Sequence, residues 1–310
     1  MKALVNTPDE PGYVALREVA DPQPGPDEAV VRVHASSLNR GELRLLASRP
    51  EGWRPGQDIA GVIARAAADG SGPAAGSRVI ALAEQAGWAE AVAVPTDRIA
   101  VLDDRVGFAE GATLPMAGST ALRTLRLGGN LLGKRVMVTG ASGGVGRFQV
   151  RLAALQGARV SAVASDRHGP TLRGFGAVEV VPSPAAATGP FDLITESVGG
   201  QRLAEAFGRI GPGGTIVAFG LSSGEPTPFA FPQFAGGHEG ARIQTFMSYA
   251  AGGGLGADLL ILADLLANGQ IEAEVGLQVP WTDLRQAVEA LQKREVAGKA
   301  VLHITADATI

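Results

Sequence analysis

Apolar residues in the first third of the chain come in short runs set between proline and glycine clusters: 28–34 (EAVVRVH), 60–64, 77–82 and 88–94. Runs of that length, rich in valine and alanine and closed by turn residues, predict a small antiparallel barrel. One stretch breaks the pattern: 40–48 (RGELRLLAS) has helical spacing, with Asn39 placed as its N-cap. From Ala117 the pattern changes to strands at 136–139, 159–164, 178–181, 192–195 and 215–219, separated by helical stretches. Such alternation predicts a parallel sheet with right-handed crossovers. A further run, 241–247 (ARIQTFM), is expected at the far edge of that sheet. Beyond a helix at 257–268 the chain returns to barrel-like material at 271–279, then a capped amphipathic helix at 282–294 and a last strand at 300–304. The predicted organisation is α/β, with a discontinuous barrel domain (1–117 and 269–310) flanking a doubly wound parallel-sheet domain (118–268).

Composition narrows the chemistry by removal. The chain has no cysteine, which takes away disulfides, thiolate zinc sites, iron–sulfur clusters and cysteine nucleophiles together. Its four histidines, His34, His168, His238 and His303, stand at no metal-ligand spacing. A formal net charge of −4 without any lysine–arginine run argues against nucleic acid as a partner. The first residues contain no apolar core of signal-peptide length, and Asp258 and Asp264 interrupt the most apolar helix candidate. A soluble, cytoplasmic protein without a membrane span is expected.

Residues 135–146 (RVMVTGASGGVG) run from an apolar strand through a glycine cluster into a helical pattern at 145–156. Read as Ala141-x-Gly143-x-x-Gly146, this is a dinucleotide fingerprint with alanine in the first glycine's place. Ala141 is expected to make the tight turn, Gly143 to admit a pyrophosphate and Gly146 to let helix and strand pack closely. Ser142, Gly144 and Val145 complete the cradle, whose helix start offers free N–H groups and a positive dipole end. Glycine is abundant here, at 43 of 310 residues against an average of ~7%, so context must carry the assignment. It does: a second apolar strand follows and ends in Ser165-Asp166-Arg167, where ribose recognition is expected. Asp166 would suit a ribose diol, as in NADH, whereas Ser165 and Arg167 would bind the 2′-phosphate of NADPH. With Ser165 at the strand tip and Asp166 turned outward as an N-cap, NADPH is favoured.

Several phrases then resemble one family over almost the whole chain: SLNRGEL (37–43), GQDIAGVI (56–63), LPMAGSTAL (114–122), VTGASGGVG (138–146), SVGG (197–200) and GKAVL (298–302). They are similar to the medium-chain dehydrogenase/reductase superfamily, in its zinc-independent quinone oxidoreductase branch. The resemblance implies a GroES-like barrel on the substrate side, a Rossmann domain for a nicotinamide cofactor, and an active site in the cleft between them. Positions that hold catalytic zinc in metal-dependent relatives are Leu38, Gln57 and Met116 here; leucine offers no ligand atom and methionine only a thioether. Hydride transfer without a Lewis acid suits polarised acceptors, namely quinones and activated α,β-unsaturated carbonyls.

By the same resemblance Asn39 is a candidate donor to a developing enolate or phenolate oxygen, with Arg40 beside it. Thr120 contacts the nicotinamide end, and Tyr249 is a candidate proton donor. Val198, Gly220, Leu221, Phe246 and Met247 line ribose and nicotinamide, and Lys299 reaches toward the cofactor or the substrate cleft. A homodimer paired through 241–247 is implied as well. Two other readings stay open at this point: an enoyl-thioester reductase of the same superfamily, and a non-catalytic NADPH-binding sensor or stress protein.

Overall fold

A computed structural model describes residues 1–9, 13–234, 236–248 and 252–304. The chain forms two compact units, Met1–Ser119 with Gly252–Ile310, and Thr120–Ala251.

In the first unit β1 (Lys2–Asn6) and β2 (Val14–Glu18) make an antiparallel ribbon. The barrel is built on β3 (Glu28–Leu38), an eleven-residue strand that leads into α1 (Arg40–Ser48). Against it lie β4 (Asp58–Arg65), β5 (Arg78–Leu82), β6 (Ala91–Pro95) and β7 (Ile99–Val101), with β3 pairing both β4 and β6, and β5 joining β4 to β7. Alternation sets the faces: Val31, Val33 and Ala35 are buried while Arg32 between them is exposed. Gly61 is required where β4 crosses β3, because any Cβ there would run into the Arg32 carbonyl. After α2 (Phe108–Gly111) and a wide turn at Leu114–Gly118, α3 (Ser119–Arg126) carries the chain into the second unit.

That unit contains β8 (Arg135–Val138), α4 (Gly144–Leu155), β9 (Arg159–Val163), α5 (Gly169–Gly174), β10 (Ala177–Val181), β11 (Phe191–Glu196), α6 (Gly200–Phe207), β12 (Ile210–Ala218) and β13 (Arg242–Thr245). All six strands are parallel, in the order β10-β9-β8-β11-β12-β13. This is the doubly wound Rossmann order, which reverses direction between its first and fourth strands, β8 and β11. Met137, Val163, Phe191, Ile194 and Ile216 fill its core, and the central strands, covered on both sides, are apolar without alternation. The run expected at the far edge is there as β13, shortened to four residues.

The chain then returns to the first unit through α7 (Leu255–Ala267), β14 (Val275–Pro280), α8 (Leu284–Gln292) and β15 (Lys299–His303). Strand β15 pairs parallel with β14 and antiparallel with β3, setting Leu302 opposite Ser36 and Ala300 opposite Leu38. The units divide after Ser119 and Ala251, not at 118 and 268. Helix α7, expected in the nucleotide-binding half, lies on the barrel unit: Gly256 abuts the Asp97 and Ile99 carbonyls, and Leu262 packs on Gly118. Its periodicity marks a buried face but not which core buries it. No helix among the described residues is long and apolar enough to cross a membrane.

Candidate functional site

Two groups of residues carry chemistry, one in each unit. In the parallel-sheet unit, β8 runs into a turn just where the strand order reverses, the place such sheets reserve for ligands. The left-handed residue is Gly140, at φ +59, and a Cβ on it would sit 2.7 Å from the Ser197 hydroxyl. The tight turn expected of Ala141 therefore belongs to Gly140. Ala141 is fully buried and donates its N–H to the Val163 carbonyl at 3.2 Å, tying the turn to β9. Gly143 caps α4 and is exposed; a Cβ there would meet only the Gly140 carbonyl, at 3.3 Å. Gly146 is the opposite case, pressed onto the Gly140 carbonyl and within 2.7 Å of the Ala141 Cα for any added Cβ. Between them Gly144 and Val145, both half-buried, open the first turn. That turn lacks intrahelical acceptors for its N–H groups and holds no acidic side chain.

Two further turns complete this end of the sheet. The Glu196 carboxylate, at the tip of β11, accepts the Thr139 hydroxyl (3.1 Å) and the N–H groups of Val198 (2.9 Å) and Gly199 (3.0 Å). Burial raises its pKa while these bonds pull it down. Gly220, after β12, has no room for a side chain against Ser197, whose Cα lies 3.1 Å from the Cβ position. Phe246 donates its N–H to the Ala218 carbonyl at 2.9 Å, whereas Leu221 and Met247 are exposed. The Thr120 and Ser248 hydroxyls share a hydrogen bond of 2.8 Å. Tyr249 lies outside the described residues.

At the end of β9, Ser165 is extended and exposed and is itself the N-cap of the turn Asp166–His168. The cap is not Asp166, which begins the turn. The Arg167 Nε donates to the His168 Nε2 at 3.1 Å. Burial lowers the His168 pKa, and the Arg167 and Arg147 charges lower it further. Arg147, the residue after the last fingerprint glycine, folds back and gives its Nε–H to the Ser142 carbonyl at 2.8 Å. Sequence reasoning missed both Arg147 and His168, although their positions beside the glycine turn and beside Arg167 were signal enough.

The second group is buried in the barrel unit. Lys299, first residue of β15, is 5% exposed, and its Nζ donates to the Asp58 Oδ2 (3.0 Å) and to the Asn39 Oδ1 (2.5 Å). Asp58, at the start of β4, also accepts the Ser37 hydroxyl (2.6 Å), the Asn39 Nδ2 (3.0 Å) and the Met116 N–H (2.6 Å). Glu42, in the first turn of α1, accepts the Asn39 N–H on Oε2 at 2.8 Å, and Asn39 Nδ2 lies 3.2 Å from the same oxygen. Its Oε1 is buried without a partner among the described residues. Burial, then the Asp58 charge, push the Glu42 pKa up to about 8 against the opposing pull of Asn39 and Lys299. Glu42 therefore holds a proton at neutral pH.

This cluster gives buried partners to two residues singled out in the sequence. Lysine has no acceptor atom, so the Asn39 oxygen must face Lys299 and its amide donors must face the carboxylates. Asn39 caps α1 as expected, and its side-chain amide also bonds Lys299, Asp58 and Glu42. Lys299 is likewise an ion-pair partner of Asp58. Arg40 is exposed on the first turn of α1. Asp58 and Glu42 were not singled out in the sequence, although an aspartate opening the apolar run DIAGVIA was the visible anomaly. Among the described residues no group of three or more His, Cys, Asp or Glu could hold a metal ion. Of the three zinc-ligand positions, Leu38 lies in the core and Gln57 is buried with its Nε2 on the Glu84 carbonyl at 3.3 Å.

A family model described as the alcohol dehydrogenase GroES-like domain matches residues 25–117, and one described as zinc-binding dehydrogenase matches 175–302. The chain is 33% identical over 207 residues to the chloroplastic quinone-oxidoreductase homolog of Spinacia oleracea, covering 59% of this chain and 63% of that protein. It is 31% identical over 198 residues to the trans-enoyl reductase TazE of Aspergillus terreus, covering 55% of this chain and 64% of the relative. The chain thus spans under two thirds of the length of these curated relatives. A solved mycobacterial structure complexed with NADPH shares the fold, with a TM-score of 0.85 at 22% identity over 98% of this chain and 100% of that one.

Proposed function

The chain belongs to the medium-chain dehydrogenase/reductase superfamily, in its quinone oxidoreductase branch, and we propose that it is an NADPH-dependent, metal-free reductase of quinones or activated α,β-unsaturated carbonyls. The observation that carries this reading is the turn Gly140–Gly146, which opens α4 at the strand-order reversal with Gly143 exposed and Gly146 packed. Those residues fit a dinucleotide: the open Cβ position at Gly143 leaves backbone bare, and the first-turn amides of Gly144, Val145 and Gly146 suit a pyrophosphate.

When bound, the cofactor supplies the hydride and the protein supplies position. Ser165 and Arg167, with the Arg147 guanidinium close enough to act on the neighbouring His168, suit a 2′-phosphate. Ala141 and Ser142 hold the turn, while Val198, Gly220, Leu221, Phe246 and Met247 border the ribose and nicotinamide side. Thr120, tied to Ser248, orients the nicotinamide end. Leucine, glutamine and methionine at the zinc positions give no ligand set for a Lewis acid, so the acceptor must already be electron-poor. Asn39 and Arg40 are the candidate hydrogen-bond donors to the substrate oxygen, and the proton for the reduced product comes from Tyr249 or from solvent.

Likeness to a trans-enoyl reductase favours one second reading, reduction of an enoyl thioester. The test is a fluorescence titration with NADPH and with NADH, followed by turnover of the preferred cofactor on simple quinones, enones and a crotonyl thioester. Tighter NADPH binding that falls about tenfold in Arg167→Glu, with turnover on quinones or enones, supports the proposal. Equal affinity for both cofactors removes the 2′-phosphate assignment, and turnover confined to the thioester gives the second reading the field.

A further inference from the structure

The barrel unit contains a cavity of about 400 Å³ whose wall includes Glu28, Arg54, Glu84, Ala86, Val92 and Arg98. Three of its four charged side chains are already engaged. Glu84 pairs with Arg98 at 3.0 Å, and Glu28 accepts the Gly25 N–H at 2.8 Å. Arg54 is the exception. It makes no ion pair and no side-chain hydrogen bond among the described residues, although it is half-buried and its Nε–H is shut off from solvent with no acceptor. Burial lowers its pKa and no neighbouring acid opposes the shift.

A half-buried guanidinium without an anion is costly, and unsatisfied buried donors are rare in folded proteins. The placement is also constrained. The Arg54 carbonyl accepts the N–H of Ala86 at 2.9 Å, and Ala86 is held at φ +69, a left-handed conformation that alanine seldom adopts. The same turn therefore fixes both the root of the arginine and the facing wall.

The geometry points to a binding site for a small organic carboxylate, held by Arg54 in this cavity. A guanidinium offers paired N–H donors that match the two oxygens of a carboxylate. The remaining wall, with Val92 and Ala86, suits an aliphatic or alicyclic body, and the volume falls within the range of small-ligand sites, about 300–1,000 Å³. Glu28 and Glu84 on the same cavity disfavour a dianion such as phosphate. The assignment to Arg54 does not rest on the reductase reading.

Trp53 supplies a reporter, because its Nε1 donates to the Oε1 of Gln85, another wall residue, at 2.6 Å. Sodium cyclohexanecarboxylate and sodium phosphate are titrated separately into the full chain at constant ionic strength, with tryptophan fluorescence as the readout. The expected result is a saturable change with cyclohexanecarboxylate that is weakened about tenfold or more in Arg54→Gln. To guard against misfolding of that variant, the arginine Nε–H resonances of the unsubstituted protein are followed in parallel; one is expected to shift as the carboxylate saturates. Absence of saturation, equal binding by Arg54→Gln, unmoved arginine resonances, or phosphate binding as tight as carboxylate would each overturn the assignment.

Discussion

Lys299 and Asp58 stand 241 positions apart and share a hydrogen bond of 3.0 Å with almost no solvent access. Removing one partner of such a pair leaves a charge in a poorly solvated site, at a typical cost of about 3–5 kcal/mol. Lys299→Met is expected to lose stability toward the lower end of that range, since Ser37, Asn39 and Met116 still donate to Asp58. Urea unfolding measures it, and the double variant Asp58→Asn/Lys299→Met should recover part of the loss. Glu42 gives a pH signature of definite sign. Its pKa rises from 4.5 to about 8 on folding, so between those values the unfolded chain releases a proton that the folded chain keeps. Its contribution is complete below 4.5, declines by about 1.4 kcal/mol per pH unit as pH rises, and levels off above 8. Glu42→Gln should abolish that slope in unfolding experiments run across the window. The sequence shows Asn39 as a cap because capping is local. It does not show that Asn39, Asp58 and Lys299 meet, since nothing in local spacing connects residues that far apart.

At the level of elements, the two glycines of the fingerprint predict opposite failures. Gly146→Val drives a side chain into the Gly140 carbonyl and the Ala141 Cα, so a lowered melting temperature is expected. Gly143→Ala meets only the Gly140 carbonyl, at 3.3 Å, so the fold should persist while dinucleotide affinity falls. Calorimetry and cofactor titration on the same two proteins separate these effects; equal melting temperatures would count against the packing role of Gly146. Among the described residues strand β13 pairs only with β12 and leaves one edge of the six-stranded sheet open, with Ile243 exposed on it. We read that edge as the seam of a homodimer. Gln244→Pro should shift a dimer to monomer on a sizing column, and an unchanged peak would count against it. The parallel sheet and the glycine turn were legible because periodicity and turn residues are local signals. The fingerprint spacing placed the turn within one residue but gave the tight turn to Ala141, where the left-handed residue is Gly140. Only φ separates Ala141 from Gly140, and φ is not written in the spacing. The home of α7 was hidden for a related reason, because an apolar helix face fits either core.

For the whole molecule, the decisive fact is that the barrel unit is assembled from two stretches of chain with 132 residues, Thr120–Ala251, between them. Strand β15 pairs with β3 across that insertion, joining Leu302 to Ser36. Contacts of such separation carry a large loop-closure cost and form late. The parallel-sheet unit, continuous in the chain, is free of that cost. In pulsed hydrogen exchange during refolding, amides of β8, β9 and β11 should gain protection before those of β15. Simultaneous protection would show that the two units fold as one.

The same arrangement bears on synthesis. While a chain emerges from the ribosome, Asp58 waits without its cation until Lys299 has been made, and until then the Asn39 oxygen lacks its donor. A product that stops short of that lysine leaves Asp58 without its cation. Such a product also lacks strand β15, so β3 is left without that neighbour in the barrel.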